Sequence, residues 1–177
     1  ERGDFSKSPA QNAVLGQKLA RKYRPQMTDA SPCPCGAPSY GECCALYHRG
    51  AEPADAEALM RSRYSAFVLA DLDYLWRTLH PDHDDRSKDR DQWAAELRAG
   101  LKTLRYRRLR ILDTAPPEAD GVARVLFHVT VSKRRRDASF AELSYFAHDG
   151  EGWRYLVGET RALPNPDGVT LADWERT

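Results

Sequence analysis

All four cysteines of this 177-residue chain lie within the stretch CPCGAPSYGECC, from Cys33 to Cys44. No other feature restricts so sharply what the chain can become. Random placement would scatter four cysteines, and packing them this tightly needs a chemical reason. They form a C-x-C pair and an adjacent Cys-Cys pair on a short loop, so each pair can grip one ion from its own side. The expected occupant is structural zinc, which takes four nitrogen or sulfur ligands in a tetrahedron and leaves no open position. Gly36 allows a tight turn after the first pair, and Pro32, Pro34 and Pro38 stiffen the loop before the metal arrives. Disulfides fit less well, because a bond between the neighbours Cys43 and Cys44 strains the peptide. The C-x-x-C spacing of a redox pair is absent. Cys33, Cys35 and Cys43 are assigned as ligands, and the fourth is Cys44 or His48, four residues on.

The rest of the chain reads as α+β. From Ala54 to Ala70, the residues Ala56, Leu59, Met60, Tyr64, Phe67 and Val68 recur at three and four positions and make one apolar helical face. Asp55 suits the N-terminal end of that helix. Arg61 and Arg63 project from its other faces, where solvent is the ordinary environment. A second helix is expected from Leu72 to Leu79, stopped by Pro81. A third runs from Gln92 to Leu101, with Trp93, Leu97 and Leu101 on one side. The period then changes toward two. Leu104 to Asp113 is a strand whose imperfect alternation allows a bulge. Val122 to Val131 is a better one, with Ala123, Val125, Phe127, Val129 and Val131 on one face and Arg124, His128 and Thr130 on the other. Ser139 to His148 follows, then Trp153 to Gly158 after a tight Asp149-Gly150 turn. Three helices followed by four strands is an α+β order. At the flanks, residues before Met27 are expected to be a leader or upstream extension, with a short amphipathic stretch from Asn12 to Tyr23. The tail beyond Thr160, with Pro164 and Pro166, is expected to be loosely held.

The cysteine stretch resembles the SEC-C motif, the small zinc-binding element of the SecA tail, although its loop is one residue shorter than the usual spacing. There the adjacent residues both bind zinc, so the resemblance favours Cys44 over His48. Leu59 to Leu75 with Thr78, His80 and Pro81, then Phe140 to Ser144 with Phe146, then Gly152-Trp153-Arg154-Tyr155 ending at Gly158, are similar to the YchJ family of uncharacterised bacterial proteins. The likeness covers about residues 31–160. It implies a nuclear-transport-factor-2-like cone, in which helices pack on a curved antiparallel sheet, and no established activity. The organisation expected is an extension (1–30), a zinc knuckle (31–50), the cone (51–160) and a tail (161–177).

Chemistry outside the knuckle would sit on the Ser139–His148 strand, where Phe140, Glu142, Ser144 and Phe146 share a face. A carboxylate between aromatics on a concave sheet could be buried and serve as a general base. The ordinary account is an ion pair with Arg61 or Arg63 that ties helix to sheet. The candidate ligand-binding residues are therefore Arg61, Arg63, Glu142 and Ser144, with Glu142 the candidate catalytic group. His80, Asp82, His83, Asp84 and Asp85 lie in one polar loop and could bind a metal, although such runs are more often solvated. His128 is a lone strand histidine, more often structural than catalytic. Two basic clusters, Lys102 with Arg105, Arg107, Arg108 and Arg110, and Lys133 to Arg136, would make an anion-binding patch if they were neighbours. Guarding exposed strands against aggregation is the plainer role for them.

A formal net charge of +1 drives the chain toward neither nucleic acid nor membrane. No apolar run has transmembrane length and no signal-peptide pattern is present. No Ser-His-Asp order, phosphate loop or dinucleotide fingerprint stands out. The expectation is a cytoplasmic zinc-binding protein whose leading function is binding: a protein partner on the knuckle and a small-molecule ligand in the cone. The alternative is an enzyme acting on a small anionic molecule, with Glu142 as base and Arg61 holding the anion. Nucleic-acid binding through the basic patch is a third reading.

Overall fold

A computed structural model describes residues 27–176. The stretch Asn12–Tyr23 lies outside the described residues. The helices are α1 (Cys44–His48), α2 (Ala56–Leu69), α3 (Leu72–Arg77), α4 (Arg90–Leu101) and α5 (Leu171–Glu175), with a 3-10 turn at Asp84–Ser87. The strands are β1 (Leu104–Ala115), β2 (Val122–Lys133), β3 (Arg136–Asp137), β4 (Phe140–His148) and β5 (Trp153–Arg161). They form one antiparallel sheet in the order β1-β2-β4-β5, with the short β3 on the end of β2. The α+β order and the four long strands are those read from the sequence. Helix α1, the 3-10 turn, β3 and α5 are too short for periodicity to reveal.

Strand β2 sets the inner face. Ala123, Val125, Phe127, Val129 and Val131 are all buried there, as their alternation requires. The irregularity of β1 is a pair of bulges. Register shifts fall between Tyr106 and Arg108 and between Ile111 and Asp113. Strict alternation after Tyr106 would turn Arg108 inward. The extra residue Arg107 resets the phase, so Tyr106, Leu109 and Ile111 oppose the inward Val131, Val129 and Phe127. Arg105, Arg108 and Arg110 oppose Ser132, Thr130 and His128 on the outer face.

Caps and strand pairing decide the helix ends. Asp55 starts α2 by accepting from the Ala58 backbone N–H at 2.8 Å. Asp89 caps α4 through Gln92 N–H at 2.9 Å, so this helix begins two residues before the expected Gln92. Helix α3 stops at Arg77 rather than Leu79, because the chain leaves it to pair with β5. Tyr155 N–H donates to the Thr78 carbonyl at 2.9 Å, and His80 N–H to the Tyr155 carbonyl at 2.8 Å.

The expectation of a loose tail is overturned. Trp174 is buried and forms an outer-face cluster with Leu126, Ala141 and Leu143. A Thr170–Asp173 capping box starts α5, and the Arg161 guanidinium lies 4.3 Å over the Trp174 ring. The outer face of β2 and β4 is apolar here and needs a cover, which the short, proline-flanked α5 provides.

Candidate functional site

The knuckle closes because its backbone can turn where the four cysteines must converge. Gly36 has φ +104°, a left-handed conformation that other residues rarely adopt, and its N–H returns to the Cys33 carbonyl at 2.9 Å. Gly41 passes so close to Asp29 that an added Cβ would sit 2.5 Å from the Asp29 Cβ. These turns bring all four Sγ atoms within 4.8 Å of one another. Their close contacts are 3.4 Å (Cys35–Cys33), 3.5 Å (Cys35–Cys43) and 3.8 Å (Cys43–Cys44). Four sulfurs about 2.3 Å from a central zinc make a tetrahedron with edges of about 3.8 Å. The donor set therefore fits a thiophilic dication, and all four thiols are free to serve.

Electrostatics agree. Burial, with Cys35 beside it, pushes the Cys43 thiol up to about 12. Hydrogen bonds with Cys33 and Cys35, then burial, push Cys44 far above its ordinary value. Cys33 lies well below it, because Cys35 and Cys44 donate to its sulfur. Without a cation the quartet cannot ionise together. A bound divalent ion removes that limit. His48 is engaged elsewhere: Nε2 is 2.9 Å from the Ser62 carbonyl and so donates to it, while Nδ1 accepts from the Tyr40 hydroxyl at 2.8 Å.

The knuckle is docked on α2. Ser65 Oγ donates to Cys44 Sγ at 3.2 Å and lies 3.7 Å from Cys33 Sγ. Ser62 Oγ meets the Tyr74 hydroxyl at 2.6 Å, and Arg77 donates to the Tyr47 carbonyl at 2.6 Å. The opposite side of the same helix faces a cavity of about 340 Å³ between the helices and the inner sheet face. Met60, Arg63, Tyr64 and Phe67 of α2 line it, with Glu142 from β4 and Tyr155 from β5 among the facing residues.

The four candidate binding residues divide. Arg61 is on the knuckle side, where it pairs with Glu57 at 2.7 Å and reaches the Cys35 carbonyl at 3.5 Å. Arg63, a candidate ligand-binding residue for which solvent was the ordinary alternative, is buried. Its Nη1 donates to the Leu75 carbonyl at 3.0 Å and to Thr78 Oγ1 at 2.6 Å, and its guanidinium lies 4.6 Å over the Tyr155 ring. Burial lowers its pKa to about 10, so it remains charged. Glu142 does not form the expected pair with either arginine. Its Oε1 accepts from the Ser144 hydroxyl at 2.6 Å and from Tyr155 at 3.2 Å. Burial, then the Glu142 charge, raises the Tyr155 pKa and keeps it a donor. Gly158 permits this convergence, since a Cβ there would sit 2.4 Å from Glu142 Oε1 and 2.6 Å from the Tyr155 hydroxyl.

The polar loop does not gather a metal site. Among the described residues, the cysteine quartet is the only group of three or more His, Cys, Asp or Glu side chains close enough to share an ion. His83 and Asp85 face the cavity instead. Burial works against the Asp85 carboxylate, but Lys88 and the Trp93 indole N–H, 3.0 Å away, outweigh it and hold its pKa low. Burial, then Arg63 and Lys88, pulls His83 below the usual histidine value against the pull of Asp85. His128 is buried on the outer face near Arg110. Sequence reasoning missed Ser65 and Tyr155. Ser65 reads as a neutral helix residue, and Tyr155 reads as a strand residue in the block shared with the YchJ family, with no site role.

A profile of the family described as YchJ, middle NTF2-like domain, matches residues 55–158. A UPF0225 protein of Sodalis glossinidius is 38% identical over 149 residues, covering 80% of this chain and 94% of that one. A UPF0225 protein of Streptomyces coelicolor is 42% identical over 134 residues, covering 72% and 94%. The solution structure of a SEC-C motif containing protein from Rhodopseudomonas palustris matches with a TM-score of 0.61 and 32% identity, over 72% of this chain and 96% of that one. A crystal structure of a SEC-C motif containing protein from Psychrobacter arcticus matches with a TM-score of 0.62 and 25% identity, over 73% and 82%.

Proposed function

The chain belongs to the YchJ family, and from that premise we propose that it is a binding protein in which structural zinc fixes the knuckle to a cone that holds a small, largely aromatic molecule. Cys33, Cys35, Cys43 and Cys44 are the zinc ligands on this reading, and both His48 nitrogens are already in use. Ser65 supports the sulfurs from outside the ligand set, as groups around metal ligands commonly do. Four reduced thiols require a reducing compartment, here the cytoplasm. Among the described residues no helix is long and apolar enough to cross a membrane. A protein partner of the knuckle would meet its outward surface, where Leu46 is 48% exposed.

The observation that carries the binding reading is the makeup of the cavity. An aromatic and aliphatic wall is interrupted by Arg63, His83, Asp85 and Glu142, and Arg63 and Glu142 are each anchored to the protein but not to the other. A ligand that places an acceptor near Arg63 and a donor near Glu142 would satisfy both. Native mass spectrometry of protein purified from cells tests this. One zinc per chain and a retained small molecule are expected, the latter lost when Leu97→Trp fills the cavity. A cavity that binds nothing from an aromatic compound library, in wild type as in Leu97→Trp, would defeat the reading.

Glu142 facing the cavity also supports the enzyme reading. The anion-holding role then passes from Arg61 to Arg63, because Arg61 lies on the knuckle side. Glu142→Gln distinguishes the two: a binder keeps ligand affinity within a few fold, whereas an enzyme loses turnover while still binding.

A further inference from the structure

We propose that the tip formed by the start of β1 and the β2–β3 turn is a binding surface for the phosphate backbone of a nucleic-acid duplex. Register brings two basic segments together there. Leu104 pairs with Lys133 and Arg105 with Ser132, and the Arg134 N–H reaches the Thr103 carbonyl at 3.4 Å. Lys102, Arg105, Arg107 and Arg108 thus adjoin the run Lys133–Arg136, and all eight side chains are exposed. The bulge at Arg107 is what keeps Arg108 outside the cone.

Several arginines elsewhere are ion-paired, whereas Arg105 at the tip meets only the Lys102 and Leu104 carbonyls among the described residues. Arg110 pairs with Asp167, Arg124 with Glu118 and Glu175, and Arg154 with Glu52 and Asp149. No ion pair among the described residues involves the eight at the tip. Asp137, next in sequence, accepts from the Ser139 hydroxyl at 2.6 Å, stays ionised and offsets one of the eight charges. With a net charge of +1 for the whole chain, this is a local field and not general basicity.

The turn supplies an independent observation. Arg134 and Arg135 both have positive φ, 49° and 68°. A two-residue turn of this kind favours Asn-Gly, and arginine there costs stability. Backbone placed against its preference points to a function for the side chains it carries. Edge protection does not explain it. Strand β1 is a sheet edge, so edge protection accounts for Arg105, Arg107 and Arg108, but Arg134 and Arg135 sit in the turn and not on an edge.

The chemistry favours phosphates. Six of the eight are arginines, whose planar forks suit phosphate oxygens. A membrane would need apolar side chains beside the charges, and the two exposed large apolar residues, Leu46 and Val157, lie outside the tip. A single strand would need aromatic platforms, but Tyr106 within the run faces the cavity.

The test is fluorescence anisotropy of the zinc-loaded full chain with a mixed-sequence DNA duplex of about 20 base pairs, beginning near 50 mM salt. R134N/R135G should weaken binding roughly tenfold or more and make the slope of log K against log salt shallower by about 2. The same variant should melt higher than wild type, because it relaxes the turn. R105Q/R108Q, which leaves the turn untouched, should weaken binding comparably. The proposal is overturned if wild type shows no saturable binding, if either variant binds as wild type does, or if poly-glutamate of matched charge binds more tightly than the duplex.

Discussion

The knuckle takes its four sulfurs from one short loop, whereas the cavity draws on every long element from α2 to β5. Both are built on α2, from opposite sides. Ser65 turns toward the knuckle and Ser62 toward Tyr74 of α3, while Met60, Arg63 and Tyr64 turn toward the cavity. The knuckle is a local site, closed by turns and, on our reading, an ion. The cavity is a non-local site and exists only when the sheet is in register. A local site can be broken by one ligand, while a non-local site tolerates loss of a wall residue but not loss of the anchors that hold its elements together.

The largest expected effect is therefore at the knuckle. Cys44→Ala should abolish stoichiometric zinc and lower the melting temperature by roughly 10–20 °C, since structural metal binding is itself folding free energy. Cys33, Cys35 and Cys44 belong to the main buried cluster, so the damage should spread into the cone. His48→Ala should keep its zinc by elemental analysis. If it loses zinc as Cys44→Ala does, the four-cysteine assignment fails.

Next is the anchor on the other side of the helix. Arg63→Ala should cost about 3 kcal/mol in denaturant unfolding, from lost charged hydrogen bonds and a new void. Arg63→Met should recover part of the packing but not the bonds to Leu75 and Thr78. Zinc content should be unchanged in both, which is the sharpest statement that the two sites are separate. Ser65→Ala probes their junction. It should cost only about 1 kcal/mol, yet weaken zinc affinity by roughly 10-fold or more in a chelator competition.

How much of this was readable follows from the same contrast. The quartet could be read as one cluster because its cysteines are neighbours in sequence and their spacing brings the sulfurs together. The inner face of β2 could be read because five apolar residues alternate along it. Arg63 could not, since helical periodicity places an arginine off the apolar stripe and is silent about the Leu75 carbonyl in another helix and the Thr78 hydroxyl just past its end. Ser62 and Ser65 read as polar, and periodicity gives no sign that Tyr74 of α3 covers the first and the knuckle covers the second. The resemblance supplied the cone, but the Glu142–Ser144–Tyr155 convergence depends on β4–β5 register and on the small side of Gly158. Trp174 was missed because the covered outer face comes from three residues far upstream.

The smallest effect, in pH, separates the regions once more. His83 at the cavity and His128 on the outer face both have pKa values lowered by burial. In the unfolded chain each takes up a proton near pH 6.5. The unfolded state then binds more protons than the folded one, so stability falls as pH drops through 6.5 toward the lower folded values, and is flat above it. The carboxylates Asp85 and Asp149, held low in the folded state, lose their contributions only further down, as pH falls through about 4 and below. His83→Gln should flatten the upper slope in part and, because the His83 charge helps hold the Asp85 carboxylate low, make the lower one slightly shallower. Thiolate protonation at the knuckle would also weaken the protein in acid, but it would release zinc in step. A chromogenic zinc indicator read during the same titration separates the causes. Stability lost between about pH 6.5 and 5 with zinc retained, and recovered in part by His83→Gln, assigns the slope to the buried histidines. Zinc released across that window, with His83→Gln matching wild type, moves it to the knuckle and makes the local site the weaker of the two in acid.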